Sequence, residues 1–204
     1  MDDVVITHSD VYQSWQTHLF NFSLDDPKTN APGLRKPQLA ALYATLGHLV
    51  VDPSSNATVV MPTGTGKTDT MLGLIIAARM ARTLILVPSD ALRTQLVGKC
   101  TEMKTLRTVG AVSDKARNPI VAAIDSVLSE AQVAALANAN IIVATPQALL
   151  LFEDAALGAL VNMCSHLMID EAHHVVAASW NRIRTAFRGK PCIQFTATPF
   201  REDG

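Results

Sequence analysis

The sequence MPTGTGKT, residues 61–68, decides the fold that we predict for this chain. It follows a short β-branched run, ATVV (57–60), and precedes an apolar helical pattern, MLGLIIAA (71–78). A strand, a glycine-rich turn and a helix in this order are typical of a phosphate-binding loop. Glycine adopts backbone angles that a Cβ forbids, so the amides of the turn can face a phosphate chain, and the helix start adds a partial positive charge. The predicted phosphate-binding residues are Thr63, Gly64, Thr65 and Gly66.

The last two residues of this stretch carry the expected chemistry. Lys67 would reach the β- and γ-phosphates of ATP, and the Thr68 hydroxyl would hold Mg²⁺. The common pattern places a glycine where this chain has Met61, so Pro62, Thr63 and Gly64 would shape a variant of the loop. The alternative is a chance glycine-rich turn, which the position between a strand and a helix disfavours.

Composition limits the class of protein. The chain has 204 residues, a hydrophobic fraction of 49% and a net charge of −1, which suits one α/β domain with a buried sheet. Without an overall basic field, contact with nucleic acid would have to be local. Three widely spaced cysteines indicate reduced thiols in a cytoplasmic protein, and no stretch predicts a signal peptide or a membrane span. The cysteines are Cys100, Cys164 and Cys192.

Apolar strand patterns alternate with helical patterns along the chain. This order predicts an α/β fold with a mostly parallel central sheet and helices on both faces. Ligands bind such sheets at the carboxyl ends of the strands, so residues that follow different strands should converge on one edge. Residues 113–128 are ambiguous between strand and helix, and 113–138 could be an insertion. The predicted strands are 57–60, 83–87, 108–112, 141–144, 166–169 and 192–196.

Two acids, Asp170 and Glu171, follow the strand pattern at 166–169. Asp170 suits a Mg²⁺ ligand, and Glu171 suits the group that positions and deprotonates the attacking water in phosphoryl transfer to water. His173 and His174 come next, but they lack the i, i+4 spacing of a zinc-binding helix, so we do not expect them to bind a metal.

Two threonines, Thr196 and Thr198, end the last predicted strand. They could be ordinary β-branched residues at the end of a strand. We favour a functional interpretation, in which their hydroxyls hydrogen-bond to the acid-histidine segment and transmit the state of the nucleotide.

Taken together, these motifs resemble the first RecA-like motor domain of a superfamily 2 helicase, broadly of the DEAD/DEAH-box type and more closely of the type III restriction enzyme helicase subunits. The resemblance runs in the family's order from about residue 34 to residue 202. It includes a glutamine motif at 34–38, motif Ia at 86–95 and motif Ib at 144–149. The remaining matches are motif I at 61–68, motif II at 170–173 and motif III at 196–198.

The resemblance implies further roles. Gln38 would bind the adenine edge with help from Arg35, and His173 would couple motif II to Thr196 and Thr198. Motifs Ia and Ib would hold one nucleic-acid strand by its phosphates, without reading its sequence. Motif Ia departs from the Pro-Thr-Arg-Glu-Leu-Ala form of RNA-type DEAD-box proteins, so we favour DNA. The implied nucleic-acid contacts are Ser89, Arg93, Thr145 and Gln147.

The resemblance also implies a domain organisation. Residues 1–33 would be a helical and loop extension, and residues 34–204 the ATP-binding domain of a larger protein. A second RecA-like domain would supply an arginine finger, which is worth roughly 10³–10⁵ in rate. We therefore expect the chain alone to bind ATP weakly and barely hydrolyse it. Two alternatives stay open: a P-loop ATPase or kinase acting on a protein or small molecule, and a nucleotide-binding module without catalysis.

Overall fold

A six-stranded sheet forms the centre of the computed structural model, which describes residues 5–171 and 177–198, the latter with backbone only for 177–181. The strand order is β1-β6-β5-β2-β4-β3, and each neighbouring pair is parallel. The predicted α/β fold with a parallel sheet is confirmed. The strands are β1 (Asn56–Val60), β2 (Thr83–Leu86), β3 (Val121–Ile124), β4 (Ile141–Ala144), β5 (His166–Asp170) and β6 (Cys192–Thr196).

Helices cover both faces of the sheet, as the crossover connections of parallel strands require. A short 3₁₀ helix (Ala135–Asn138) follows α6. Within the described residues the helices are α1 (His8–Thr17), α2 (Lys36–Val51), α3 (Lys67–Ala77), α4 (Asp90–Glu102), α5 (Lys104–Thr108), α6 (Glu130–Ala134), α7 (Pro146–Leu150), α8 (Asp154–Met163) and α9 (Ala177–Ala186).

Strand β2 shows why the central strands have continuous apolar sequences. All four of its residues are buried. Leu84 and Leu86 pack into the core on one face, whereas Ile85 and the following Val87 pack into the core on the other. Because successive side chains point to opposite faces, a strand covered on both sides needs apolar residues at every position.

The N-terminal helix packs against the sheet domain. Val11 and Trp15 of α1 are almost completely buried. The Trp15 indole donates to the carbonyl of Arg117 at 3.0 Å, and the backbone N–H of Arg117 donates to Ser14 Oγ at 2.9 Å. Segment 113–120 thus holds α1 in place before the chain enters β3.

One predicted strand is wrong. Residues 108–112 do not form a strand: α5 ends at Thr108, and the chain then turns through Gly110, which has φ +70°. The N–H groups of Ala111 and Val112 both donate to the carbonyl of Leu106, which closes the turn. The β-branched residues suggested a strand, but local hydrogen bonds satisfy this backbone. The ambiguous run at 120–124 is resolved as strand β3.

The described helices include none with the length and hydropathy that crossing a bilayer requires.

Candidate functional site

The carboxyl ends of the central strands meet at one edge of the sheet. Val60 of β1 is in register with Thr196 of β6, and Phe195 of β6 is in register with Asp170 of β5. The N–H of Met61 extends this pairing by donating to the carbonyl of Thr196 at 2.8 Å. The glycine-rich loop and the two acids are therefore separated by a single strand, and Thr196 lies between them.

The backbone of the glycine-rich loop adopts the positive φ angles that its glycines were predicted to allow. Gly64 has φ +82° and Gly66 has φ +91°, and α3 begins directly afterwards at Lys67. Thr65 folds back on Pro62, because its N–H and its hydroxyl both donate to the Pro62 carbonyl, at 3.2 and 2.6 Å. A turn of this shape in front of a helix N-terminus is suited to binding phosphate.

Lys67 contacts both acids that follow β5. Its Nζ lies 3.3 Å from Asp170 Oδ1 and donates to Glu171 Oε1. Burial raises the pKa of Asp170, and the positive charge of Lys67 opposes that rise. Oppositely charged groups at this depth are weakly screened, so each strongly influences its neighbours.

The backbone at Glu171 is strained. It has φ +53°, which is uncommon for a residue with a Cβ. Its N–H donates to Asp170 Oδ1 at 3.0 Å, so the Asp170 side chain supports the turn. Strain of this kind costs on the order of 1–3 kcal/mol and is often found at functional sites. Here the turn brings the Glu171 carboxylate to Lys67.

Gln38 and Arg35 lie directly against the loop. Gln38 is buried; its Oε1 accepts from the Arg35 N–H at 2.9 Å, and its Nε2 donates to the Gly66 carbonyl at 3.4 Å. The Arg35 guanidinium donates to the Gly64 carbonyl at 3.0 Å. A Cβ on Gly66 would lie 2.3 Å from Gln38 Nε2, so only glycine allows this approach.

These groups line a single cleft of ≈ 530 Å³. It contains the loop, both acids, Arg35 and Gln38, and also a wall from α4 and α5 that the sequence did not predict. Asp69 of α3 also lines the cleft; it immediately follows the loop motif and could have been noticed for that reason. Leu92 and Gln95 fall within the motif Ia range but were not predicted to line the cleft, and the lining residues beyond that range gave no signal. The unpredicted lining residues include Asp69, Leu92, Gln95, Lys99, Thr105 and Leu106.

An oxygen-rich corner of the cleft suits Mg²⁺. Mg²⁺ binds through one or two carboxylates together with substrate phosphates, rather than in an all-protein cage. Asp170 and Thr68 both line the cleft. In the described part of the chain, no group of three or more His, Cys, Asp or Glu residues could hold a metal by itself. The donor set therefore fits an ion held largely by the nucleotide.

The predicted nucleic-acid contacts lie at the carboxyl ends of β2 and β4. Ser89 and Thr145 cap α4 and α7, each accepting from a backbone N–H at 3.4 Å. Arg93 donates to Asp90 Oδ1 at 2.6 Å and to the Ile124 carbonyl at 3.1 Å, so it links α4 to β3. Gln147 is exposed on the first turn of α7. These side chains therefore share the sheet edge with the cleft, but none of them lines it.

The threonines predicted to act in coupling are joined to each other. The Thr196 hydroxyl donates to the Thr198 carbonyl at 2.9 Å, and the Thr198 N–H donates to the Thr196 hydroxyl at 3.3 Å. His173 and His174 lie outside the described residues, so what was predicted for them stays a prediction.

The cysteines take no part in the site. All three are buried free thiols. Burial raises the pKa of Cys100 and Cys164 to about 12 and that of Cys192 to about 11, so the reactive thiolate is disfavoured at each.

Comparison with known proteins assigns the class. The fold and motifs are those of a RecA-like ATPase domain of the superfamily 2 helicases. A family model described as type III restriction enzyme, res subunit, matches residues 32–201. The chain therefore belongs to that family.

Solved structures share the fold. UvsW helicase from bacteriophage T4 is 16% identical, with a TM-score of 0.57 over 95% of this chain and 61% of its own. A hypothetical ATP-dependent RNA helicase from Sulfolobus tokodaii is 19% identical, with a TM-score of 0.57 over 92% of this chain and 50% of its own. The Hef helicase domain from Pyrococcus furiosus is 25% identical, with a TM-score of 0.54 over 79% of this chain and 34% of its own. Curated protein sequences gave no significant match.

Proposed function

We propose that this chain is the ATP-binding motor domain of an ATP-dependent nucleic-acid helicase or translocase, with DNA as the favoured substrate, and that its parent protein hydrolyses ATP to ADP and phosphate. The observation that carries the proposal is the meeting of Lys67, Asp170 and Glu171 beside a glycine-rich loop at the start of a helix. Membership of the res subunit family supports it.

The proposed arrangement places the triphosphate along the loop. Backbone amides of residues 63–68 and the N-terminus of α3 bind its oxygens, with the terminal phosphate beside Lys67. A bound Mg²⁺, held by Thr68 and Asp170, would neutralise charge that builds up on the β- and γ-phosphates. Glu171 orients the attacking water and accepts its proton.

Lys67 would change partners when the nucleotide binds. It now contacts both carboxylates, so its charge offsets two neighbouring negative charges. Phosphate oxygens would take over part of that contact, leaving Asp170 for the metal and Glu171 for the water. The lysine keeps anionic partners throughout this exchange, which limits the cost of rearranging a half-buried cation.

Nucleic acid would bind along the same sheet edge, at the starts of α4 and α7. The hydroxyls of Ser89 and Thr145 and the amide of Gln147 are neutral groups of the kind that contact phosphates without reading bases. Arg93 adds a guanidinium there, although its ion pair with Asp90 offsets the positive charge. Such contacts require little net charge, in keeping with a net charge of −1 for the chain.

The solved neighbours are longer than this chain, which spans 61% of UvsW and 50% of the Sulfolobus tokodaii protein. We propose that residues 34–204 form the ATP-binding domain, that 1–33 form an extension, and that a second RecA-like domain completes the ATP site. The chain by itself would then turn over ATP slowly. A cytoplasmic location stays a prediction.

The test is the ATPase rate of the full-length parent protein with and without single-stranded DNA, duplex DNA and RNA. We expect DNA to stimulate the rate severalfold or more, and Lys67→Ala to abolish the stimulated activity. Glu102→Gln, an exposed change outside the cleft, is the matched control. RNA stimulation alone would overturn the DNA preference. A rate insensitive to every nucleic acid would favour an ATPase acting on a protein or small molecule, and tight ATP binding without turnover would favour a nucleotide-binding module.

A further inference from the structure

Asp69 is an acid in an unexpected place. It follows Thr68 on the first turn of α3, is only partly exposed, and lines the cleft that contains the phosphate-binding loop. A carboxylate near a triphosphate is repelled by it, unless the carboxylate has hydrogen-bond donors of its own to bind. The question is which donors those are.

The direction of the cleft identifies the part of a nucleotide that would meet Asp69. Lys67 joins Asp170 and Glu171, so these three residues define the end where the terminal phosphate lies under the proposed function. Asp69 is not among the contacts of that cluster, and it lines the cleft on the side formed by α4 and α5. Under the proposed function the nucleoside extends from the α-phosphate towards Gln38 and Arg35, and Asp69 lines the same cleft as these two residues.

The surroundings of Asp69 are built from three elements. Burial raises the pKa of the Asp69 carboxyl. Thr105 of α5, Lys99 of α4 and Arg35 ahead of α2 line the same cleft, and all three favour the charged form of this carboxylate and so oppose the rise in its pKa. Asp69, Lys99 and Thr105 also line an adjoining cavity of ≈ 410 Å³, so the acid stands at the junction of two open spaces. The two cations offset the negative charge that Asp69 adds beside the phosphates.

We infer that Asp69 binds the ribose hydroxyls of the nucleotide, with Thr105 as a positioning residue that orients its carboxylate. The ribose diol is the part of a nucleoside triphosphate that offers adjacent O–H donors, and carboxylates are used elsewhere to accept from ribose hydroxyls. This inference rests on the proposed function and deepens it: the site selects ribonucleoside triphosphates over sugars that lack the diol.

A structural role is the competing explanation. An acid in the first turn of a helix interacts favourably with the helix dipole, and Asp69 lies where α3 contacts α5. Such a role predicts a loss of thermal stability when Asp69 is changed, without any change in sugar preference. The two explanations therefore differ in a ratio of affinities.

The experiment measures the affinity of the full-length protein for ATP and for 2′,3′-dideoxyATP by titration calorimetry in the presence of Mg²⁺. We expect the wild type to bind ATP about tenfold more tightly, the value of one charge-assisted hydrogen bond. Asp69→Asn should bring the ratio close to one, because the ribose hydroxyls lose their charged acceptor, whereas the loss of a negative charge near the phosphates acts on both nucleotides alike. Thr105→Val should lower the ratio partway, and it serves as the readout if Asp69→Asn fails to fold.

Glu102→Gln is the matched control, because it removes an acid from the adjoining cavity but not from the cleft. It should keep the tenfold ratio. The inference is overturned if the wild type binds both nucleotides equally, or if Asp69→Asn and Thr105→Val lower the melting temperature and leave the ratio unchanged. If neither nucleotide binds, or if Lys67→Ala leaves both affinities unchanged, the proposed function fails instead.

Discussion

The two edges of the sheet each hold a partly buried cation, but the partners of these cations differ. At the carboxyl edge, Lys67 contacts the carboxylates of Asp170 and Glu171. At the amino edge, Arg82 donates to the carbonyl of Ala139 at 2.8 Å, to that of Met163 at 2.9 Å and to that of Ala137. One cation is held by side chains and the other by backbone.

The difference between these partners distinguishes cations that stabilise the fold from a cation that belongs to the candidate site. Lys190 repeats the pattern of Arg82: it donates to the carbonyls of Val161 and Cys164 at the end of α8, at 2.5 and 2.6 Å. Backbone carbonyls at a helix C-terminus need donors and attract cations, and they cannot move away. Carboxylates can instead exchange a lysine for a metal or a water. The cations at the amino edge therefore have fixed partners, whereas the cation at the carboxyl edge has partners that it can exchange.

The largest effect that we expect is on the chemical step. Glu171→Gln keeps the shape of the side chain but removes the proposed base, so under the proposed function kcat of the parent protein's ATPase should fall by roughly 10²–10⁴. The affinity for ATP should be kept or increased, because one negative charge near the phosphates is gone. Glu153→Gln, an exposed acid ahead of α8, should change neither quantity. A kcat within twofold of wild type would exclude Glu171 as the base.

At the amino edge the effect should appear in stability alone. Arg82→Ala leaves three carbonyls without their donor, which should lower the free energy of unfolding by about 2–3 kcal/mol. Arg188→Ala, an exposed arginine at the same edge, should cost under about 0.5 kcal/mol. Urea unfolding measures both. If Arg82→Ala instead weakens ATP binding by the folded protein, the conclusion that the amino edge contributes only to stability is wrong.

The two loop glycines offer a sharper contrast within the carboxyl edge. Both have positive φ, so an alanine costs about 1–2 kcal/mol at either place. A Cβ at Gly66 would also meet Gln38 Nε2 at 2.3 Å, whereas a Cβ at Gly64 meets nothing within 4 Å. Gly66→Ala should therefore destabilise more than Gly64→Ala in thermal unfolding. Adding Gln38→Ala should recover the difference; equal costs without recovery would exclude the steric explanation.

The smallest effect concerns pH at the amino edge. Burial lowers the pKa of His166 from 6.5 to about 4. Between those values the unfolded chain binds a proton that the folded chain does not, so stability falls as pH drops and is unaffected above about 6.5. The loss should reach about 1.4 kcal/mol by pH 5.5. His166→Gln should remove this part of the pH dependence in urea titrations, and an unchanged slope would assign it to other groups.

Sequence reasoning predicted the parts of the molecule that depend on local pattern. The loop and its helix followed from MPTGTGKT, and the parallel sheet followed from alternating strands and helices. Their topology then brought Lys67 and Asp170 together. What failed depended on geometry with no local signal. The strand predicted at 108–112 is a turn after α5, and α5 itself starts at Lys104, directly after Met103, whose φ of +49° ends α4.

Two features of the site were equally hidden. The positive φ of Glu171 cannot be read from the letters Asp-Glu, yet it brings that carboxylate to Lys67. The wall formed by Lys99 and Thr105 exists because α5 folds back toward α3, a contact between distant parts of the chain. Burial and tertiary contacts set both features, so a single sequence without a structure gives no access to them.

The central claim is that Lys67 and Asp170 bind one magnesium-triphosphate group. Titration calorimetry of ATP into the parent protein, with Mg²⁺ and then with EDTA, tests it most directly. We expect Mg²⁺ to tighten binding to the wild type by at least about tenfold, Asp170→Asn to remove this gain, and Lys67→Ala to weaken binding under both conditions. An ATP affinity that is independent of Mg²⁺ and unchanged by Lys67→Ala would contradict it.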